Sequence, residues 1–184
     1  MPTMAKMSHF SLTGSCGFDL YVNTACGNTQ FGGVFKPPFN STNGFQSKIE
    51  LGAKKLRYIT INFPTYSNVK DLYIGIKKDS LLGEGLRYRT EKPVVYYGSS
   101  ITQGGCASRS GNTYESIVSQ RMNIDHVNLG FSGSGKGEKI MAEYIANLDM
   151  SAFVMDYDHN SPSVEHLTET HYNFYSIVIY INCL

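Results

Sequence analysis

The sequence of 184 residues contains no tryptophan and only four cysteines. The cysteines are Cys16, Cys26, Cys106 and Cys183, and no two of them have C-x-x-C spacing. A zinc site or a thioredoxin-type redox motif needs closely paired cysteines, and a disulfide scaffold needs more of them in a chain of this length. The cysteine pattern therefore supports none of these three classes.

The chain also lacks a run of about 18 apolar residues, so the sequence predicts no membrane span. Residues 1–14 contain no continuous apolar stretch of the kind found in a secretory signal. The formal net charge is only +1, which argues against a chain built around bulk electrostatic attraction. Hydrophobic residues make up 41% and charged residues 17%, which favours a folded domain with a sizeable core.

The small net charge hides a division of the chain. Residues 1–92 carry 12 Lys and Arg against 6 Asp and Glu, whereas residues 93–184 carry 4 against 9. Such a shift in composition at Pro93 indicates a domain boundary. We therefore predict a β-rich domain over residues 1–91 and a second domain over residues 92–184.

The first half has the composition of β-strands. Three segments rich in Tyr, Ile, Val, Leu and Phe are bounded by Gly, Pro, Asn or Ser, and they lie at residues 17–23, 55–64 and 69–77. Short strands with Gly- and Asn-rich turns predict an antiparallel sheet, part of a sandwich-like domain.

The second half alternates strands and helices. Apolar segments at residues 93–98, 126–131 and 151–158 are each followed by a Gly- or Ser-rich loop and then by a helical pattern. The predicted helices lie at residues 113–122, 140–147 and 163–180. Three successive strand–loop–helix units predict an α/β domain with a parallel sheet, in which ligands bind at the carboxyl ends of the strands.

The loop after the first of these strands contains Gly98, Ser99, Ser100 and Gly104. A serine on a tight turn past a buried strand can present its hydroxyl and its own N–H to a crevice, as acyl transfer requires. The same residues also fit an ordinary helix N-cap with glycines in the turn. The loop alone does not distinguish the two interpretations.

The other two loops supply main-chain and side-chain donors. Residues 130–137 are rich in glycine and come close to a phosphate-binding loop, but Gly137 stands where that motif has Ser or Thr. The third loop, residues 156–162, contains Asn160, whose amide could donate to a developing anion or simply form a turn.

Together the three loops resemble the first three sequence blocks of the SGNH (GDSL-type) hydrolases. The matching segments are GSSIT at 98–102, NLGFSG at 128–133, and Asn160. Ser99 occupies a position that is Asp in most of the family, so the chain looks like the branch that has a small residue there. Residues 17–21, GFDLY, resemble the GxDLY signature of the β domain that precedes such esterases.

The resemblance implies a flavodoxin-like α/β fold and a role for each matching position. Ser100 would be the nucleophile, and the backbone N–H groups of Ser100 and Gly133 with the Asn160 amide would form the oxyanion hole. The reaction would be hydrolysis of a small-molecule or carbohydrate acyl ester, without a metal or cofactor and without nucleic acid as a partner. The acyl group, the alcohol and the oligomeric state are not predicted.

The family's general base, a histidine in a late D-x-x-H motif, has no clear counterpart in the sequence. Asp156 and His159 have that spacing but lie in the third block, where we expect an exposed loop histidine. His126 is expected to be structural, and His166 and His171 are five residues apart on a helix, a poor spacing for one site. We therefore expect a fragment of a larger enzyme, with an incomplete sheet, marginal stability and little or no esterase activity.

Three other functions compete with ester hydrolysis. The chain could be a non-catalytic relative that binds a carbohydrate or a partner through its β domain. It could bind a nucleotide through residues 130–136. It could also be a nucleic-acid module that uses the basic first half, although these charges form no compact run: Lys54, Lys55, Arg57, Lys77, Lys78, Arg87 and Arg89.

Overall fold

The computed structural model describes residues 4–23 and 29–182, so Cys26 and Cys183 lie outside the described residues. By internal contacts the chain divides into two compact units. The first comprises Met1–Arg87 with Cys106–Asn112, and the second comprises Tyr88–Gly105 with Thr113–Leu184. The domain boundary expected between residues 91 and 92 stays a prediction; the division adds that the short segment 106–112 packs with the first unit.

The first unit contains a three-stranded antiparallel sheet. A short helix, α1 (Leu12–Ser15), precedes β1 (Phe18–Asn23), which lies between β2 (Thr29–Phe35) and β3 (Tyr58–Asn62). The predicted strands at 17–23 and 55–64 are therefore confirmed as β1 and β3, with β3 shorter than expected.

The strand β2 was not predicted because two adjacent glycines interrupt its pattern. In the structure the register shifts between Leu20 and Tyr21, which pair with Gly33 and Phe31, so Gly32 is the extra residue of a β-bulge. A Cβ on Gly32 would lie 2.5 Å from the Leu20 side chain. The glycines therefore belong to the strand, since they allow the bulge and the close approach of β1.

The predicted strand at residues 69–77 is wrong. No strand is present in this segment, and Leu72, Tyr73 and Ile74 are exposed to solvent. A strand forms only when its backbone groups pair with a neighbour. Among the described residues, no strand pairs with 69–77, so its β-forming composition produces no sheet.

The second unit is built on a three-stranded parallel sheet in the order β5-β4-β6. The strands are β4 (Val94–Gly98), β5 (His126–Gly130) and β6 (Ala152–Asp156). Gly98 is in register with Gly130 on one side and with Asp156 on the other, so the carboxyl ends of all three strands are level. The predicted parallel α/β sheet is confirmed.

Four helices follow these strands. The short α2 (Ser100–Gln103) and then α3 (Tyr114–Met122) come after β4, α4 (Lys139–Ala146) comes after β5, and α5 (Val164–Asn182) comes after β6. The three long helices confirm those predicted from the sequence, whereas the single turn α2 is too short for periodicity to detect.

Alternate residues of β4 point to opposite faces of the sheet and enter two hydrophobic cores. Val95 and Tyr97 pack with residues of α4 and α5, including Ile145 and Phe174, in the larger core. Val94 and Tyr96 pack on the other face, beside α3. Every residue of β4 is buried, which explains why this strand reads as an unbroken apolar run. Of the helices in the described part of the chain, none is both long and apolar enough to cross a membrane.

Candidate active site

Ser100 begins α2 immediately after the end of the central strand. The preceding Ser99 is fully buried and caps the helix, because its Oγ accepts a hydrogen bond from the Ile101 N–H at 3.2 Å. The Ser99 N–H donates to the Asp156 carbonyl at the end of β6. The backbone N–H and the side chain of Ser99 are therefore both hydrogen-bonded. They fix the position of the next residue, the half-buried Ser100, at the end of the sheet.

Two glycines allow α2 to approach the strand ends closely. A Cβ on Gly98 would lie 2.1 Å from Thr102 Oγ1 and 2.4 Å from the Asp156 carbonyl oxygen. A Cβ on Gly130 would lie 2.0 Å from the backbone nitrogen of Gln103. Any side chain at position 98 or 130 would collide with these atoms. Glycine at both positions therefore allows the serine loop, residues 98–104, to lie this close to the strand ends.

The glycine-rich second loop folds back as a turn beside the first. The N–H of Phe131 donates to the Gly98 carbonyl, and the N–H of Ser132 donates to Gln103 Oε1 at 2.8 Å. Gly133 follows, exposed and at a φ of +68°, with no atom within 4 Å of the place a Cβ would take. Its positive φ favours glycine.

Asn160 ends a 3₁₀ turn after β6, and its side chain contacts the second loop. The Nδ2 group donates to the carbonyls of Phe131 and Gly135, both at 2.9 Å. Its two hydrogens are thus both used in this structure. The three loops predicted to meet at the carboxyl ends of the strands do meet: the first contacts the second and third, and Asn160 joins the third to the second.

A buried polar network lies behind the serine loop. Oδ2 of Asp156 accepts hydrogen bonds from Thr102 Oγ1 at 3.1 Å and from the Tyr114 hydroxyl at 3.3 Å. Thr102 is fully buried, and burial raises the pKa of Tyr114, so that phenol stays protonated. The network ties α2 and α3 to the end of β6.

Glu115, the second residue of α3, is fully buried next to this network. Neither of its carboxylate oxygens accepts a hydrogen bond of good geometry from the described residues. Burial raises the pKa of Glu115 to about 7, while its own backbone N–H and the hydroxyls of Thr113 and Tyr114 oppose the shift only in part. The Glu115 carboxyl therefore changes between its neutral and its charged form near neutral pH.

The four histidines of the second unit have contacts of their own. His126 lies in β5 with its ring against Tyr96, and burial lowers its pKa. The remaining contacts are His159 Nδ1 to Asp158 Oδ1 at 3.2 Å, His166 Nδ1 to Ser161 Oγ at 3.1 Å, and the His171 ring stacked on Tyr157. His159 is exposed on the third loop, which is where the sequence places it.

Within the described parts of the chain, one group of residues has the donor atoms of a metal site. Single ligand atoms of Asp156, Asp158 and His159 lie within 4.8 Å of one another. Two of the three are exposed, and Asp156 already accepts hydrogen bonds from Thr102 and Tyr114. Nothing further at this group points to an ion, and we assign it no metal.

A phosphate-binding loop offers several successive N–H groups to its ligand, whereas most N–H groups of residues 130–136 already donate within the protein. The N–H groups of Ser134 and Gly135 donate to the Phe131 carbonyl, and that of Lys136 donates to Glu138 Oε1. The structure therefore gives no support to the nucleotide-binding alternative.

The sequence did not single out the pair formed by Tyr97 and Glu138. The buried Tyr97 hydroxyl donates to Glu138 Oε2 at 2.6 Å and accepts from the N–H of Gly137 at 2.9 Å. The one available signal was Tyr97 itself, because a tyrosine inside a buried strand needs a hydrogen-bond partner. Which residue supplies that partner depends on the fold of the second loop.

A parallel α/β sheet that carries a serine, a glycine-rich turn and an asparagine at one edge is an arrangement found among serine hydrolases. Comparison with known families makes this specific. Residues 91–179 match the GDSL-like Lipase/Acylhydrolase family, and residues 2–82 match the family described as the GxDLY N-terminus of SGNH-hydrolase-type esterases. The second half of the chain thus matches a GDSL-like lipase/acylhydrolase family and the first half a GxDLY family, so the resemblance identified from the sequence is confirmed.

A solved structure agrees with this assignment. The chain is similar to a crystal structure described as that of a GDSL-like lipase from Bacteroides ovatus ATCC 8483, with 30% sequence identity and a TM-score of 0.87. The match covers 98% of this chain and 52% of the other, so the chain spans about half the length of that protein. No curated protein matches the chain.

Proposed function

We propose that this chain provides the nucleophile and the oxyanion hole of a serine acyl-ester hydrolase. The observation that carries the proposal is the position of Ser100. This residue follows a buried strand at the place where the serine loop is hydrogen-bonded to the glycine loop (residues 130–137) and to the Asn160 loop (residues 156–162). Membership in a GDSL-like lipase/acylhydrolase family supports the reaction class.

In this mechanism the Ser100 hydroxyl attacks the carbonyl carbon of an acyl ester. The carbonyl oxygen becomes an oxyanion as the Oγ–C bond forms, the C–O bond to the alcohol then breaks, and the proton lost by Oγ ends on the departing alcohol oxygen. Water hydrolyses the resulting acyl-enzyme to a carboxylic acid and free Ser100. The backbone N–H groups of Ser100 and Gly133 would stabilise the oxyanion, each by about 3 kcal/mol. Gly133 suits this role because its exposed turn leaves space for a substrate.

The Asn160 amide would be the third donor. In the present structure both of its hydrogens go to the carbonyls of Phe131 and Gly135, so it must exchange one of them for the oxyanion when a substrate reacts. The substrate we propose is a small-molecule or carbohydrate acyl ester, and the chemistry requires neither metal nor cofactor.

A serine hydroxyl also needs a general base. The histidines of the second unit contact tyrosines, Asp158 or Ser161, and we assign the role to none of them. We therefore expect slow ester hydrolysis by this chain.

A fluorophosphonate probe, which phosphonylates reactive serines with loss of fluoride, tests the nucleophile directly. Because no base is assigned, we expect mass spectrometry after long incubation to locate a slowly formed adduct on Ser100, to find none in Ser100→Ala, and to find it unchanged in Ser134→Ala, a matched control on the exposed neighbouring loop. An adduct that persists in Ser100→Ala, or none in the unmodified chain, would overturn the proposal.

The same variants test the expectation for the base. The unmodified chain should hydrolyse p-nitrophenyl acetate only slightly faster than Ser100→Ala does. Introducing His159→Ala into either protein should leave its rate of hydrolysis unchanged. A large activity that depends on both Ser100 and His159 would show that His159 is the base after all.

A further inference from the structure

The end of the glycine loop is fastened to the central strand by Tyr97. This side chain is fully buried at the penultimate position of β4. Its hydroxyl donates to Glu138 Oε2 and accepts from the Gly137 N–H, and the other carboxylate oxygen of Glu138 accepts from the Lys136 N–H at 3.0 Å. One tyrosine and one glutamate thus fix three successive residues, 136–138.

The loop needs such a restraint because it is rich in glycine. Gly133 and Gly137 both have positive φ, at +68° and +82°, and glycine backbones lose much conformational freedom when they are held in one state. Gly137 also packs closely, since a Cβ there would lie 2.8 Å from the Tyr157 ring. Asn160 holds Phe131 and Gly135, on either side of Gly133, and Tyr97 with Glu138 holds the residues that follow.

The pair has the electrostatics of a strong hydrogen bond. Burial works to raise the pKa of Glu138, but hydrogen bonds from Tyr97 and from backbone N–H groups outweigh it, and the pKa of the carboxyl is lowered. Burial raises the pKa of Tyr97 well above its usual range. At neutral pH a neutral phenol therefore donates to a carboxylate, which is the stronger, charge-assisted type of hydrogen bond.

We propose that Tyr97 and Glu138 are positioning residues that hold the glycine loop in the shape that aims the Gly133 N–H at the oxyanion. Neither touches the substrate. The inference rests on the proposed function, because it assigns these residues a role in acyl transfer at Ser100. If it holds, activity can be lost by a change in the shape of the glycine loop as well as by a change at Ser100.

The test compares Tyr97→Phe with Tyr96→Phe in the full chain. Both tyrosines are buried in β4 and each variant loses one hydroxyl, but the Tyr96 side chain packs in the core on the opposite face of the sheet, beside α3. Hydrogen exchange of residues 131–138 and the kinetics of fluorophosphonate labelling are measured for both. We expect Tyr97→Phe to speed exchange in the loop by about tenfold and to lower the limiting rate of labelling by about tenfold, at an unchanged half-saturating probe concentration. Tyr96→Phe should change neither quantity.

Glu138 provides the second arm of the test. Glu138→Ala removes both acceptors and should resemble Tyr97→Phe, while Glu138→Gln keeps an acceptor and should recover part of the labelling rate. If Tyr97→Phe and Glu138→Ala are labelled at the rate of the unmodified chain, the inference fails and the proposed function stands. If the unmodified chain is not labelled at Ser100, the proposed function fails and the inference fails with it.

Discussion

Asp19 accepts a hydrogen bond at 2.8 Å from the backbone N–H of Gly111, which lies 92 residues further along the chain. The Asp19 carboxylate is fully buried and also accepts from Asn62 Nδ2 at 2.8 Å, with Arg109 Nε 3.5 Å away. The Arg109 guanidinium lies over the Phe31 ring. The aspartate of the GxDLY signature is therefore the acceptor that holds β1, β3 and the segment 106–112 together in the first unit.

Replacing Asp19 should be costly to this unit. Asp19→Asn places an N–H₂ group against a backbone donor or Arg109. Asp19→Ala removes the acceptor of the Gly111 N–H and of the Asn62 amide. We expect a loss of about 2–4 kcal/mol in the free energy of unfolding, measured by urea denaturation. Asp71→Asn, an exposed control, should change it by less than about 0.5 kcal/mol. A similar small effect of Asp19→Asn would contradict the structural role.

Glu115 makes stability depend on pH. Its folded-state pKa, about 7, is above the ordinary value of 4.5, so between these values the folded chain binds more protons than the unfolded chain. The cost of burying the charge is absent below about pH 4.5 and complete above about pH 7. We expect Glu115→Gln to be more stable than the unmodified chain by about 2 kcal/mol at pH 8, from a shift of this size discounted for solvent screening.

The pH profile is the control for Glu115. Thermal unfolding of both proteins is followed from pH 5 to pH 8, and the advantage of Glu115→Gln should shrink to a fraction of its value at pH 5, where Glu115 is neutral in the folded chain. An advantage that stays constant over this range would mean that packing, and not charge, causes it.

Much of the second unit could be predicted because its strands and helices have local signatures. The buried run at β4 and the three strand–loop–helix units define a parallel sheet, and the level carboxyl ends then bring Ser100, the glycine turn and Asn160 to one edge. The contacts within that edge could not be predicted. The partner of Tyr97 and the burial of Glu115 depend on how the loops fold in three dimensions.

The first unit was less predictable because its sheet is made by pairing between distant segments. Residues 69–77 have the composition of a strand and β2 does not, yet β2 pairs with β1, and no strand among the described residues pairs with 69–77. The bulge at Gly32 and the partner available to each segment decide the outcome, and neither is a local property. For the same reason, the sequence does not predict that residues 106–112 belong to this unit.

Two glycines near the candidate site should respond differently to alanine. A Cβ on Gly130 would meet the backbone of Gln103 at 2.0 Å, so α2 or β5 must move, and we expect a loss of about 3 kcal/mol or more in the free energy of unfolding. Gly133 has open space around it and only its positive φ opposes a side chain, at a cost of about 1 kcal/mol. Chemical denaturation of both variants checks the order. Equal losses would show that the tight contact at Gly130 relaxes easily.

Asn160 should matter to the loop and to the reaction separately. Asn160→Ala removes the donors to Phe131 and Gly135, which lowers thermal stability by a few degrees. It also removes the proposed third oxyanion donor, which should lower the rate of fluorophosphonate labelling at Ser100 by about a hundredfold. Asn173→Ala, which removes an exposed amide bonded to the Glu169 carbonyl, is the matched control and should leave the labelling rate unchanged.

Asn160→Asp separates the two roles further, because a carboxylate cannot donate to either carbonyl or to an oxyanion. Charge repulsion should make its loss of thermal stability larger than that of Asn160→Ala, and its labelling rate at least as low. Lower stability in both variants with an unchanged labelling rate would mean that the amide serves the loop alone. The oxyanion would then depend on the main-chain N–H groups of Ser100 and Gly133.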